Sequence, residues 1–135
     1  MLADIGNTHI HLYDGDSVEH LSYDKAIAKY GDSPVSYITV RQSLEKRISS
    51  LSNWQNISER IVLEGAYDTM GVDRKALCLS HDNGLFVDAG SAITVDVMKR
   101  GVYRGGFILP GIRAVLSSYA TISPVLETTL NREVS

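Results

Sequence analysis

Cysteine is almost absent from this 135-residue chain: Cys78 stands alone. A single thiol excludes an internal disulfide and a multi-cysteine zinc centre. Flanked by Leu77 and Leu79, it reads as a small buried apolar residue, and such usage fits a reducing cytoplasm. An excess of basic charge is also lacking. The chain has 13 Lys and Arg against 16 Asp and Glu, for a net charge of −3. That leaves no electrostatic reason to expect nucleic acid as a partner. The densest basic cluster, Lys99, Arg100 and Arg104, is too small to track a phosphate backbone. No apolar run approaches the ~20 residues of a membrane span. The N-terminus has neither a basic region nor a signal-type apolar segment, since Asp4 stands where one would begin. Missing too are a G-x-x-x-x-G-K-[ST] loop, a G-x-G-x-x-G fingerprint and a Ser/His/Asp hydrolase motif.

What remains is an ordinary composition, 44% hydrophobic and 21% charged, enough for one domain or two small lobes. The chain is organised around Asp88-Ala89-Gly90-Ser91-Ala92-Ile93-Thr94, which follows the apolar run Leu85-Phe86-Val87 and leads into Val95-Asp96-Val97. A carboxylate leaves a strand, a glycine turns the backbone tightly, and two hydroxyls stand beside the turn. Glycine at such a turn lets backbone N–H groups come close to an anion. A second copy, Asp4-Ile5-Gly6-Asn7-Thr8, opens the chain. One such turn could be an ordinary hairpin; the pair points to two lobes sharing one phosphate site.

Apolar periodicity orders the rest. Met1–Ile5, Ile10–Tyr13 and Val18–Tyr23 read as an antiparallel meander, with a turn at Asp14-Gly15-Asp16. A helix capped by Asp24 follows over Lys25–Tyr30, then a β-branched strand over Val35–Val40. Ser43 reads as the cap of a helix carrying Leu44, Ile48 and Leu51, and Ile61–Leu63 as a further strand. A helix is expected over Asp73–Leu79, and Asp82-Asn83-Gly84 marks the lobe boundary. The opening pattern then begins again: strands 85–88, 92–98 and 102–109, and a helix bearing Ile112, Val115, Leu116 and Tyr119. Two copies of one β-β-β-α pattern, the second cut short, give an α/β protein with lobes at 1–81 and 82–135. The single helix of the second lobe covers one face of its sheet. A polypeptide truly ending at Ser135 is therefore expected to need a further segment or a partner over the other face.

Asp4 and Asp88 end strands beside glycine turns, where carboxylates can hold a hard cation such as Mg²⁺ or its waters next to phosphates. Asn7, Thr8, Ser91 and Thr94 offer short donors, and Asp96 alternates onto the sheet face of Thr94. In Gly71-Val72-Asp73-Arg74, Asp73 could accept a hydroxyl proton while Arg74 forks onto a substrate carboxylate or phosphate. Local sequence alone fits a capping aspartate with an incidental arginine more readily. Gly105-Gly106 permits close approach of a flat ligand, or is a plain strand edge. His9 and His11 lack a third ligand and read as ordinary strand residues; Trp54, Tyr103 and Tyr119 read as packing.

Four motifs stand in a telling order: Asp4–Thr8, Gly71–Arg74, Asp88–Asp96 and Gly105-Gly106-Phe107-Ile108-Leu109-Pro110-Gly111. Together they resemble type III pantothenate kinases, of the acetate and sugar kinase, Hsp70 and actin superfamily. The resemblance implies two ribonuclease-H-like lobes in an actin-like ATPase fold, the second incomplete. It implies ATP-dependent phosphorylation of pantothenate, the first step of coenzyme A synthesis, in a cytoplasmic homodimer. Asp4, Ile5, Gly6, Asn7, Thr8, His9, Ile10 and His11 would form one ATP loop, and Ser91 would meet ATP in the other. Asp88 would hold the K⁺ or NH₄⁺ used beside Mg²⁺. Tyr67, Gly71, Val72, Asp73 and Arg74 would bind pantothenate, with Asp73 as proton acceptor. Ser91 replaces the usual threonine, the Tyr67–Gly71 segment is short, and the family's later Gly-Asn-Thr-Thr-like stretch lies beyond Ser135. Two rival readings are another small-molecule kinase of the superfamily and a non-catalytic nucleotide-binding or accessory protein. A substrate screen separates the first; ATP binding without turnover marks the second.

Overall fold

The computed structural model describes residues 1–6, 9–40 and 47–130, arranged as a mixed α/β fold with two sheets. The first sheet contains β1 (Leu2–Ile5), β2 (Ile10–Tyr13), β3 (Val18–Leu21), β4 (Val35–Thr39) and β5 (Trp54–Asn56), in the order β3-β2-β1-β4-β5. The expected meander is present: β2 pairs antiparallel with both β1 and β3. Crossing by way of α1 (Tyr23–Tyr30), the chain then adds β4 and β5 in parallel to β1. Alternation sorts the faces. Ala3, Ile5, Ile10, Leu12, Val35 and Tyr37 point to one side, where Ala26 of α1, Ile48 and Trp54 complete the core. Asp4 and His11, opposite one another in the β1–β2 register, point to the other side.

Two expectations change here. Ile61–Leu63 forms no strand; the fifth strand is Trp54–Asn56. Trp54 anchors it by burying its ring near Tyr37 and donating its indole N–H to the Tyr30 carbonyl at 3.0 Å. The first helix begins at Tyr23 after Ser22, so Asp24 lies inside it and pairs with Arg47 instead of capping. The proposed cap Ser43 and Leu44 lie outside the described residues, as do Asn7 and Thr8.

After a loop, α2 (Val72–Cys78) contacts both sheets, packing on β4 and on β7. The second sheet is the antiparallel meander β6 (Gly84–Ala89), β7 (Ala92–Lys99), β8 (Val102–Pro110), followed by α3 (Ile112–Ile122). Its core is smaller and includes residues from before the sheet: Leu63, Met70 and Cys78 join Met98 and Tyr103. Cys78 is fully buried, as expected, and burial pushes its thiol pKa up. No residue of α3 is buried, so this helix does not provide the cover expected of it. Leu85 and Val87 of β6, Val97 of β7, and Phe107 and Leu109 of β8 share one face through the register and remain exposed. No described helix is long and apolar enough to cross a membrane.

Candidate active site

The period-two alternation that buries Ala3 and Ile5 turns Asp4 toward α2. There it meets residues from the far end of the chain. A cleft of about 520 Å³ is lined by Asp4, Gly6, His9 and His11 from the first sheet and by Asp73, Arg74 and Leu77 from α2. Val87 through Ala92, with Thr94, supply the opposite wall from the β6–β7 hairpin. Both glycine turns and the Gly71–Arg74 motif thus converge, although each belongs to a different part of the sequence. Burial, Asp73 and Asp88 raise the Asp4 pKa above the ordinary carboxylate value, partly offset by His11. Three carboxylates face one space, which is costly unless a cation enters.

The turns are closed in a way their sequences do not reveal. Gly6 donates its N–H to the His9 carbonyl at 3.1 Å, and Gly90 donates to the Ala92 carbonyl at 2.9 Å. The glycine amides therefore serve the turns, leaving other groups there to meet an anion. Gly111 donates to the Ser91 carbonyl at 3.2 Å and braces the second turn. Ile5 and Ile10 are fully buried in the first core, so their side chains cannot reach a nucleotide. His11 pairs across the sheet with His20, Nδ1 to Nδ1 at 2.6 Å, a contact the sequence reading missed. The registered opposition of β2 and β3 was the available signal.

Thr94 Oγ1 is the one buried side-chain polar atom without a partner among the described residues. Thr94 is 7% exposed, stands opposite Asp88 in the β6–β7 register, and lines the cleft. Buried hydroxyls are normally satisfied, so an orphan beside carboxylates suits a site that a ligand completes.

At the start of α2, Asp73 Oδ1 accepts the Arg74 backbone N–H at 2.8 Å. Gly71 makes this possible: a Cβ there would collide with the Asp73 carboxylate. Arg74 departs from expectation. Its guanidinium forks internally onto Asp96, Nε to Oδ2 at 3.0 Å and Nη2 to Oδ1 at 2.5 Å, instead of standing free for a substrate anion. Arg74 is 5% exposed and Asp96 is completely buried. The Asp96 hydrogen bonds push the Arg74 pKa upward, outweighing burial. Nη1 donates to the Tyr67 hydroxyl at 2.6 Å, and Nη2 reaches the Tyr103 hydroxyl at 3.5 Å. Gly106 borders this cluster: a Cβ there would collide with the Val95 carbonyl and would lie 2.5 Å from Asp96 Oδ1 and 3.0 Å from the Tyr103 hydroxyl. Among the described residues no group of three or more His, Cys, Asp or Glu is disposed as a ready metal cage. Asp4 and Asp88, with Thr94, are hard oxygen donors of the kind Mg²⁺ accepts when substrate phosphates complete its shell.

A second cavity of about 810 Å³ adjoins the first, sharing His9, His11, Gly90 and Ser91 and reaching Ile93, Ile112, Arg113 and Leu116.

Comparison with known proteins places the chain among similar ones. The family model for type III pantothenate kinase matches residues 33–127. A type III pantothenate kinase from Helicobacter hepaticus is 42% identical, the match covering 99% of this chain and 64% of that protein. One from Sulfurimonas denitrificans is 40% identical over 99% of this chain and 65% of its own length. A Campylobacter jejuni crystal structure, described as a conserved Baf family transcriptional activator, superposes with a TM-score of 0.84. It is 34% identical, over 99% of this chain and 64% of that one. The chain thus spans a little under two thirds of the length of these relatives. It belongs to the type III pantothenate kinase family.

Proposed function

We propose that the cleft between the two sheets phosphorylates the primary hydroxyl of pantothenate with ATP. The convergence of Asp4, Asp73, Asp88 and the Gly90-Ser91 turn on one space carries this reading. The hydroxyl oxygen attacks the γ-phosphorus, the bond to the bridging β–γ oxygen breaks, and ADP leaves. Asp73 accepts the hydroxyl proton. Ser91 and Thr94 give hydroxyl donors to the phosphates, and the apolar walls Ile93, Ile112 and Leu116 of the adjoining cavity suit the adenine ring. Asp4 and Asp88 would hold the cations, Mg²⁺ and K⁺ or NH₄⁺, which neutralise developing phosphate charge when bound. Tyr67 and Gly71–Asp73 would receive pantothenate. The actin-like pair of ribonuclease-H-like lobes, divided near residue 82, and a homodimer belong to the same proposal. The paired strand orders support the lobes, since each sheet opens with an antiparallel meander followed by a helix.

The test is ³¹P NMR of the protein with ATP, Mg²⁺, K⁺ and pantothenate. Expected is a new phosphomonoester resonance appearing in step with ADP. Asp73→Asn should lower that rate by roughly 10²–10⁴, the scale of a lost general base. Asp73→Asn turning over near the wild-type rate would remove Asp73 from the chemistry. ATP binding without any phosphomonoester would favour the non-catalytic reading.

A further inference from the structure

We infer that Asp96 is a positioning residue: by fixing Arg74 it sets where Tyr67 and the Asp73 carboxylate stand, with Tyr103 closing the cluster. This inference rests on the reading of the cleft as a kinase site.

A guanidinium is a rigid planar fork, so two bonds to one carboxylate fix its plane as well as its place. Asp96 supplies both bonds from the fully buried middle of β7. In that fixed plane Nη1 has one described partner, the Tyr67 hydroxyl. The ring of Tyr67 remains partly exposed while its tip is held. The backbone N–H of the same arginine holds Asp73 Oδ1. One buried carboxylate therefore governs, through one arginine, both the aromatic residue and the base of the proposed acceptor site.

The surroundings are shaped for this arrangement. The segment before α2 is docked on β8, where the Tyr103 N–H donates to the Glu64 carbonyl at 2.8 Å. The Tyr67 and Tyr103 rings lie 6.3 Å apart between centroids. Gly106, opposite Asp96 in the β7–β8 register, leaves the space that the carboxylate and the Tyr103 hydroxyl fill. Burial and the nearby Asp96 charge raise the Tyr103 pKa, which keeps its hydroxyl protonated. Stability alone does not call for such a cluster, since a buried ion pair replaced by apolar residues of similar size is often as stable or more so. The pair holds α2 at a defined place relative to Asp88, two registered positions along the same sheet face.

Asp96→Asn and the double variant Arg74→Met/Asp96→Leu test this. Asp96→Asn should raise the pantothenate KM about tenfold and lower kcat about tenfold or more, with the ATP KM within twofold of wild type. Hydrogen exchange should quicken over residues 66–78 and not over β1–β5. The double variant removes both charges, so it should fold even if Asp96→Asn does not, and should show the same two effects. A merely structural role predicts fewer active molecules with both KM values unchanged, and that result overturns the inference. So does a double variant with wild-type pantothenate kinetics. If the wild-type protein phosphorylates no pantothenate, the kinase reading fails by itself. Exchange then decides the positioning: quickening confined to 66–78 upholds it, and uniform or absent change refutes it.

Discussion

Gly71→Ala is a small change with an unequal effect on folding and on chemistry. Gly71 has φ −57° and ψ 140°, a conformation that alanine adopts freely, so no backbone strain arises. The added methyl would meet the Asp73 carboxylate, with Val40 Cγ1 at 3.7 Å. Asp73 must therefore swing away and release the Arg74 N–H it accepts at 2.8 Å. Losing that bond costs about 1 kcal/mol. Replacing glycine by alanine returns about 0.4–1 kcal/mol by restricting the unfolded chain. Net stability should change by less than about 1 kcal/mol, a melting shift of no more than about 5 °C for a chain of this size. Displacing a reacting group by about 1 Å, in contrast, can slow chemistry some 10²-fold, close to 2.7 kcal/mol of barrier. Thermal denaturation followed by circular dichroism, with a coupled ADP-release assay on the same preparation, measures both. Turnover within threefold of wild type would refute the placement of Asp73 argued above. A melting point lowered by more than about 10 °C would show that the methyl disrupts more than one side chain.

Three further outcomes follow from the same geometry. Asp4 has a raised pKa, so its contribution to stability is present below the ordinary carboxylate range and is lost as pH rises through the raised value. Asp4→Asn should thus melt higher than wild type at pH 7 without divalent cation, with the gain vanishing on acidification to about pH 3. Equal melting points at neutral pH would mean that the three carboxylates do not strain the cleft. Thr94→Val removes the unpartnered hydroxyl; it should melt at or above wild type yet turn over about tenfold more slowly. A lower melting point with unchanged turnover would assign that hydroxyl a structural partner. Trp54→Ala should cost about 3–5 kcal/mol in urea denaturation because the residue is only 5% exposed, and a loss under 1 kcal/mol would contradict its place in the first core.

Much of the architecture is written locally. Alternation in Ile10–Tyr13 and the Asp14–Ser17 turn specify a hairpin without help from elsewhere, and Asp14 Oδ1 indeed accepts the N–H groups of Asp16 and Ser17. Asp4 and Asp88 were recognisable because a strand end followed by glycine is a local signal. Trp54–Asn56 was not, since a three-residue strand with Gln55 and Asn56 exposed has no period to detect. Ile61–Leu63 looks like a strand by composition, but Leu63 drops into the second core while Val62 is exposed and no described strand pairs with them. The Arg74–Asp96 pair was equally hidden. Its partners lie on α2 and β7, and only the packing of one on the other reveals that the arginine of the motif faces inward.

In the proposed reading, one cleft holds both the ATP phosphates and the acceptor. Backbone NMR shift mapping on the protein tests it most directly, using a non-hydrolysable ATP analogue with Mg²⁺ and then pantothenate. The nucleotide should move amides at Gly6, His9 and 88–94, and pantothenate should move those at 67–74. Shifts confined to the exposed face of β6–β8, or to neither group with both ligands saturating, would contradict it.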